Sequence, residues 1–422
     1  MEHTNRTIRP LTQQDLEAYL DIYLNAYPAY KMLDEACREH YREKHRLELR
    51  EDRQVQTVGL FEGDVLIATM KLILFSMNCF GRMQTACGLM ALEVHPLHKK
   101  QGAALEMIRY FEDYARRHGA LLTLLLPFQI SFYRRMGYGF AGKLYEYHLP
   151  TAVLPKPEGE ARRHLRLLQP EDFDRVLACH SRFAAQNHGM VEKFEEEVRA
   201  ARTDIQVRRI GYCADDGTLR GYVAYRFESA SDTNYTRNRL SVEELVYDDG
   251  VVLRALLGAL KLQEDLAQTV LLRTGEEDFH HLLEDPQDVS GNYIDYGFLQ
   301  TNVSAIGTMF KLLDPAAFVT ATAYRALPQG TLTAAFCYRD EMAHRDCRTV
   351  LRFDGGHWFA LPEEAPAEVT VTCRQGDLAS LLMASCGLEG MVRLGAVAVT
   401  GPWQQLAQLL HYGQKPWLNS DY

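Results

Sequence analysis

Alternating and helical patterns of apolar residues in the first third of the chain predict a compact succession of strands and helices. Thr12 is placed to cap the first helix, and Glu62-Gly63-Asp64 separates two alternating runs that favour a β-hairpin. The predicted elements are a strand at 7–12, helices at 14–26 and 35–53, the hairpin strands around 62–64, a strand at 85–94, a helix at 103–118 and a strand at 121–126.

The stretch LEVHPLHKKQGAA, from Leu92 to Ala104, joins an apolar strand to the predicted helix at 103–118 through a basic turn. The first N–H groups of a helix have no partner within the helix, and its dipole favours an anion there. Gly102 allows the main chain to approach a phosphate closely, while Lys99 and Lys100 add positive charge. The pattern is typical of a pyrophosphate site, although an ordinary turn with solvated lysines fits the short motif equally well.

The middle of the chain repeats the first pattern. Residues 165–173 echo residues 8–16, and a second hairpin at 210–227 precedes a strand at 241–247, a helix at 251–268 and a strand at 270–273. At the second turn the sequence is Tyr247-Asp248-Asp249-Gly250, whose carboxylates would repel a pyrophosphate. We therefore expect two copies of one fold, of which only the first binds the anion, joined by a proline-rich connector at 150–161.

The last third alternates strands with Asp-Gly turns, including Asp354-Gly355-Gly356, and closes with a helix and a short tail. It resembles the sterol-carrier-protein fold, a small sheet with helices on one face. The predicted class is α/β (α+β), with domains at 1–150, 151–300 and 301–422.

Composition narrows the function further. A chain of 422 residues exceeds one ordinary core, and 47% hydrophobic with 24% charged residues indicates a globular protein. No apolar run approaches 18 residues and the N-terminus has no apolar signal core, so we expect a cytoplasmic protein without membrane association. Nine scattered cysteines without a CxxC motif predict no metal site. The net charge of −10 argues against nucleic-acid binding and suits a cationic substrate.

The basic turn resembles the acetyl-CoA signature of GNAT N-acetyltransferases, here in the frame Lys99-x-x-Gly102-x-Ala104. Lysine replaces the commoner arginine, so charge is kept while bidentate phosphate contact is lost. The resemblance implies backbone contacts from the strand end to pantetheine and from the turn to pyrophosphate. The implied coenzyme-binding residues are Leu92, Glu93, Val94, Lys99, Lys100, Gln101, Gly102, Ala103 and Ala104.

The domain order and the run SFYRRMGYG at 131–139 resemble the Eis (enhanced intracellular survival) family of aminoglycoside N-acetyltransferases. Met136 stands where an aromatic residue is usual. The resemblance implies that Tyr133 is the general acid and that the terminal carboxylate of Tyr422 is the general base or orients the substrate.

The Eis resemblance also implies direct transfer of acetyl to an amine of a small polycationic substrate, in a ternary complex with acetyl-CoA. Tyr27, Tyr30 and Asp421 are candidates for the acceptor pocket. A homo-hexamer is expected from the same resemblance. The open alternatives are an acetyltransferase of polyamines or lysine side chains, and a non-catalytic protein that senses coenzyme A or binds lipid.

Overall fold

The computed structural model describes residues 6–26, 34–50, 54–156 and 159–417. The predicted site residues Tyr27, Tyr30, Asp421 and Tyr422 lie outside this part of the chain. Within it, the strands are β1 (Arg6–Pro10), β2 (Val55–Glu62), β3 (Val65–Cys79), β4 (Arg82–Val94), β5 (Leu122–Leu125), β6 (Gly139–Phe140), β7 (Lys143–Pro150), β8 (Leu165–Leu167), β9 (Arg208–Cys213), β10 (Leu219–Ser229), β11 (Asn238–Tyr247), β12 (Thr269–Thr274), β13 (Val303–Ile306), β14 (Met309–Leu312), β15 (Leu332–Asp340), β16 (Arg345–Asp354), β17 (His357–Leu361), β18 (Val369–Thr372) and β19 (Ala398–Thr400).

The helices of the same described ranges connect these strands and cover the sheets. They are α1 (Leu16–Ala26), α2 (Glu35–Glu48), α3 (Ala103–Arg117), α4 (Ile130–Arg134), α5 (Phe173–Gln186), α6 (Glu195–Thr203), α7 (Gly250–Lys261), α8 (Pro315–Ala321), α9 (Gln375–Leu382), α10 (Leu388–Arg393) and α11 (Trp403–Leu410). No helix of the described ranges is long and apolar enough to cross a membrane.

The first sheet has the order β1-β2-β3-β4-β5-β14-β6. Its strands are antiparallel except for β4 and β5, which run parallel because α3 connects them. Helix α3 buries Met107, Ile108 and Phe111 in the core on this sheet. This arrangement places the start of α3 beside the carboxyl end of β4.

The second sheet repeats this plan in the order β13-β7-β12-β11-β10-β9-β8, with β11 and β12 parallel around α7. Strand pairing crosses the predicted boundaries at residues 150 and 300. Strand β7 ends at residue 150 but pairs with β12 of the second repeat. Strands β13 and β14 follow residue 300 and pair with β7 and β5 respectively. Each repeat is therefore completed by strands from outside its own segment.

The third sheet has the order β17-β16-β15-β18-β19, and Trp358 is fully buried in its core. Gly355 and Gly356 adopt positive φ in the turn between β16 and β17, as the Asp-Gly-Gly motif predicts. The mixed α/β class with a repeated unit and a third sheet is thus confirmed. The likeness to sterol-carrier proteins stays a prediction.

Local predictions mostly agree with the structure. Thr12 forms a capping box with Asp15, and β2 and β3 flank a turn at residues 63–64. The helix predicted at 251–268 is shorter, because α7 ends at Lys261 and turns follow. Leu262 and Leu266 are exposed, so the buried apolar stripe ends there and no longer supports a helix.

Candidate functional site

The first sheet opens between β4 and β5. The two strands pair from Ala86 and Leu122 to Leu89 and Leu125, after which β4 continues to Val94 without this partner. A bulge accompanies the opening, since the β3–β4 register shifts and Ala91 adopts a φ of 51°. Bulges of this kind bend and redirect a strand, so the backbone of residues 91–94 turns away from β5.

The basic turn leads from this opening to α3. Lys100 and Gly102 have φ angles of 63° and 85°, a conformation that glycine adopts without steric cost. Gly102 is the N-cap of α3 and, lacking a side chain, gives the helix no side-chain cap. The first-turn N–H groups are consequently placed to receive an external anion, beside the exposed side chains of Lys99 and Lys100.

A cavity of about 580 Å³ connects the opened strands with this turn. Among the residues predicted to bind coenzyme, it is lined by Leu92, Glu93, Val94, Lys99, Lys100, Gly102, Ala103 and Ala104. Gln101 is not in the wall: its side-chain amide donates to the Leu97 carbonyl at 3.2 Å, and its own carbonyl accepts from Arg6 at 3.1 Å. The structure therefore brings most of the predicted residues together, while Gln101 lies in the turn behind them.

Tyr133 also lines this cavity. It lies on α4, is 5% exposed, and packs edge-on against Phe132 and Tyr138 with ring centroids 5.1 and 5.9 Å away. Its carbonyl accepts from the N–H groups of Met136 and Tyr138 at 2.9 and 3.1 Å, which tightens the turn after α4. Packing and backbone hydrogen bonds together fix the ring at the wall.

Tyr138 and Arg134 make contacts outside the cavity. Tyr138 is fully buried, accepts from the Thr123 hydroxyl at 3.2 Å, and has a pKa raised well above its ordinary value by burial. Arg134 pairs with Asp377 at 2.9 Å and so ties α4 to α9 of the third sheet. Neither residue lines the cavity.

Sequence patterns did not identify an apolar part of the cavity wall formed by Leu89, Leu126, Phe128 and Phe132. Phe128 is 84% exposed in the loop after β5. A large aromatic residue in a loop directly after a parallel strand is the signal that could have found it. Ala26, the last residue of α1, contributes to the wall as well.

A buried polar cluster lies beside the cavity wall. Glu93 is 1% exposed and accepts from the Thr69 hydroxyl at 3.3 Å. Tyr19 is buried near both Glu93 and Glu48; burial first, and then these two carboxylates, raise its pKa well above the ordinary value. The ammonium group of Lys71 lies 2.8 Å from the Glu48 carboxylate and balances part of this negative charge. This side of the cavity wall thus has buried acidic groups.

The corresponding turn of the second repeat is closed. Asp249 is the N-cap of α7, and its Oδ1 accepts from the N–H groups of Val251 and Val252 at 2.9 and 3.0 Å. Arg220 pairs with Asp249 at 2.6 Å and with Asp248 at 3.5 Å. The carboxylate that was predicted to repel a pyrophosphate instead occupies the anion position itself.

Two regions of the chain match acetyltransferase (GNAT) domain families, at residues 7–141 and 189–299. No curated protein matches the sequence.

Solved structures match over nearly the full length. They include a GCN5-related N-acetyltransferase from Anabaena variabilis (14% identity, 99% of this chain and 100% of that one, TM-score 0.79). A probable N-acyltransferase from Enterococcus faecalis has 15% identity, covers 97% of this chain and 98% of its own, and gives a TM-score of 0.78. Eis1 from Mycobacterium abscessus has 18% identity, coverage of 99% and 100%, and a TM-score of 0.74. At these identities the likeness establishes the fold shared by all three.

Proposed function

We propose that this GNAT-type N-acetyltransferase transfers acetyl from acetyl-CoA to an amine of a small polycationic, aminoglycoside-like molecule. The observation that carries the proposal is the single cavity joining the uncapped start of α3 to Tyr133 through the opening between β4 and β5. Pyrophosphate would bind at the helix start between Lys99 and Lys100. Pantetheine would then pair with the backbone of residues 92–94, which directs the thioester towards Tyr133.

The chemistry needs one proton donor and one proton acceptor. A neutral amine attacks the thioester carbonyl, a C–N bond forms, the C–S bond breaks, and the thiolate leaves as coenzyme A after taking a proton. Tyr133 supplies that proton. A thiol has a reference pKa of about 8.5 and a phenol of about 10, so the transfer depends on the fixed position of the ring. The proton lost by the amine goes to the base.

We assign the base, or the group that orients the amine, to the terminal carboxylate of Tyr422. The resemblance to the Eis family supports this assignment. Tyr422 and its neighbour Asp421 themselves lie outside the described residues. An α-carboxyl has a reference pKa of about 3.5, so it acts as a base only where burial raises this value. Tyr27 and Tyr30 follow Ala26 of the cavity wall in sequence and are proposed to contact the acceptor.

The acceptor class is supported by charge. The chain has a net charge of −10, and Glu93 contributes a carboxylate to the cavity region. Both favour an acceptor with several ammonium groups. Polyamines and lysine side chains share this chemistry and are the alternatives that an acceptor screen must separate.

We also propose that the protein is a homo-oligomer, a hexamer by the resemblance to the Eis family. Tyr293, Tyr296 and Phe298 are exposed in the segment before β13, and β13 is an edge strand of the second sheet. Exposed aromatic residues beside an open strand edge are what a contact between copies would cover. Light scattering of the purified protein measures the assembly.

The test of the proposed reaction replaces Tyr133 by Phe. We expect kcat to fall about 100-fold or more, because a positioned general acid contributes 10²–10⁴-fold. The Kd for acetyl-CoA should stay within about twofold, since only the hydroxyl is removed from an otherwise intact wall. Thiol release is followed with kanamycin, a polyamine and a lysine peptide as separate acceptors.

Tyr138→Phe is the matched control, because it removes the same hydroxyl from a buried ring that does not line the cavity. It should keep its activity. Full activity of Tyr133→Phe, or equal losses in both variants, would contradict the assignment of Tyr133 as general acid.

A further inference from the structure

The second repeat has an opening between parallel strands like that of the first. Strands β11 and β12 pair only from Arg239 and Thr269 to Ser241 and Leu271. Beyond these pairs β11 continues to Tyr247 and β12 to Thr274. In the first repeat the same place between the strands leads into the cavity.

Trp417, the last described residue, fills this second opening. Its side chain lies between the end of β11 and the residue after β12: ring centroids are 6.3 Å from Tyr247, and a Cβ on Gly275 would lie 3.6 Å from the indole. Phe183 of α5 packs edge-on at 5.6 Å. Only 9% of Trp417 is exposed, so the indole is part of the core of this repeat.

Polar contacts hold the residues that lead to Trp417. The Trp417 N–H donates to the carbonyl of His188 at 2.6 Å. Gln414 accepts from the His188 N–H at 2.9 Å and donates to the Asn187 side chain at 2.8 Å. Pro416 lies so close to Gly189 that a Cβ there would be 2.7 Å from its ring. The segment 411–417 therefore has a defined path along the end of α5.

A buried guanidinium fixes the start of this path. Arg325 is fully buried, donates to the Leu410 carbonyl at 2.8 Å, and lies 4.2 Å from the Phe80 ring and 5.2 Å from the Tyr412 ring. Phe80 belongs to the turn between β3 and β4 of the first repeat. The tail is thus held by Arg325 and by the β3–β4 turn of the first repeat before it enters the opening at Trp417.

We propose that the second repeat has exchanged cofactor binding for holding the C-terminal tail. Asp249 occupies the anion position at α7, and Trp417 occupies the place between the strands that leads to the cavity in the first repeat. Trp417 is then a positioning residue: it fixes the point at which the chain leaves the core of the second repeat. The catalytic consequence rests on the proposed role of the terminal carboxylate.

The test uses the full-length protein with Trp417→Ala. Hydrogen exchange should lose its protection over residues 411–417, and kcat should fall about 10- to 100-fold, because the terminal carboxylate is no longer held in place. The Kd for acetyl-CoA should change less than about twofold, because its site lies in the first repeat. Trp417→Phe keeps an aromatic ring in the opening and should restore most of kcat, a rescue that general destabilisation would not produce.

Three further variants separate tail positioning from the loss of a large side chain: Trp403→Ala and Gly275→Ala are controls, and Gly189→Ala disturbs the tail from outside it. Trp403→Ala removes an indole of α11 that packs on another core, and it should leave kcat and the protection of residues 411–417 unchanged. Gly189→Ala should reproduce the effect of Trp417→Ala without altering the tail sequence, because its Cβ would meet Pro416 at 2.7 Å and alanine is strained at the φ of 89°. Gly275→Ala should not, because its Cβ would meet Trp417 at ordinary contact distance.

Unchanged protection of residues 411–417 in Trp417→Ala would overturn the anchoring, and lost protection with an unchanged kcat would overturn the positioning role. Wild-type protein that acetylates none of the amines would instead refute the proposed function. The exchange measurement would still decide the anchoring in that case.

Discussion

The two repeats start their cofactor-side helices in opposite ways. At α3 the N-cap is Gly102, which provides no side chain, so the first N–H groups are left for a ligand. At α7 the N-cap is Asp249, whose carboxylate accepts from two of the same N–H groups. Every helix start must satisfy these donors. The comparison shows that one fold either leaves these N–H groups without a side-chain cap or caps them with its own carboxylate, depending on a single side chain.

Strand β11 also has a register shift, and the glutamates that follow the bulge in each repeat differ in the same sense. Glu244 of β11 accepts from the Tyr222 hydroxyl at 2.6 Å and lies 2.9 Å from His180 and 3.1 Å from Lys193. Burial alone would raise its pKa, but the charge of Lys193 and the His180 hydrogen bond hold it well below the usual range. Glu93 of β4 lines the cavity instead. At the comparable position of the second repeat, the glutamate is paired with neighbouring side chains of its own repeat.

The largest expected effect concerns β14, which follows the second repeat in sequence but completes the sheet of the first repeat. Lys311 of β14 pairs with Glu112 of α3 at 2.7 Å, and both are buried; burial raises the pKa of Glu112 while Lys311 opposes this. Helix α7 buries apolar residues such as Leu256 and Leu257 and has no such pair. Lys311→Met should lower the free energy of unfolding by about 3–5 kcal/mol, because the buried Glu112 carboxylate loses its closest cation and keeps only Arg116, at 3.6 Å.

Urea unfolding at pH 7 measures this loss. The double variant Lys311→Met with Glu112→Leu should recover most of the stability, because neither charge then remains buried. Arg339→Met removes a cation from an exposed pair with Asp346 and should cost less than about 1 kcal/mol. Equal losses in Lys311→Met and Arg339→Met would show that β14 is not held by its charge.

The next prediction gives the turn before α3 the acidic N-cap that the turn before α7 has. Gly102→Asp places a carboxylate at the N-cap of α3 and should weaken acetyl-CoA binding by about 100-fold or more, because two like charges about 4 Å apart repel strongly near a protein surface. Gly102→Asn is the matched control: it has nearly the same shape, tolerates a positive φ and carries no charge. It should weaken binding by less than about tenfold, as isothermal titration measures. Similar losses in both variants would mean that shape, and not charge, distinguishes the turns.

Local patterns were sufficient to predict those parts of the candidate site that lie close together in sequence. The turn from Lys99 to Ala104, Tyr133 and the acidic second turn all carry their chemistry within a few residues, and helix starts follow simple capping rules. The repeat itself was visible because it recurs in register. These features depend on neighbouring residues, which the sequence displays directly.

Contacts between distant residues were not predictable in this way. Lys311 meets Glu112 across 199 positions, and Trp417 enters a core formed by α5, β10 and β11. Strand β7 looks like the last strand of the first repeat but pairs in the second, because an alternating pattern predicts a strand without naming its partner. The closure of the second opening by Trp417 could therefore be recognised only in the structure.

The smallest expected effect concerns Asp249 itself. Asp249→Ala removes the cap of α7 and should cost about 1 kcal/mol in unfolding free energy. Asp314→Ala is the matched control, because Asp314 caps α8 with the same two hydrogen bonds, at 2.9 and 3.0 Å, away from either opening. Both variants should bind one acetyl-CoA per chain by calorimetric titration, since Trp417 still fills the second opening. A second equivalent bound by Asp249→Ala alone would show that the carboxylate, and not the tail, keeps the second repeat closed.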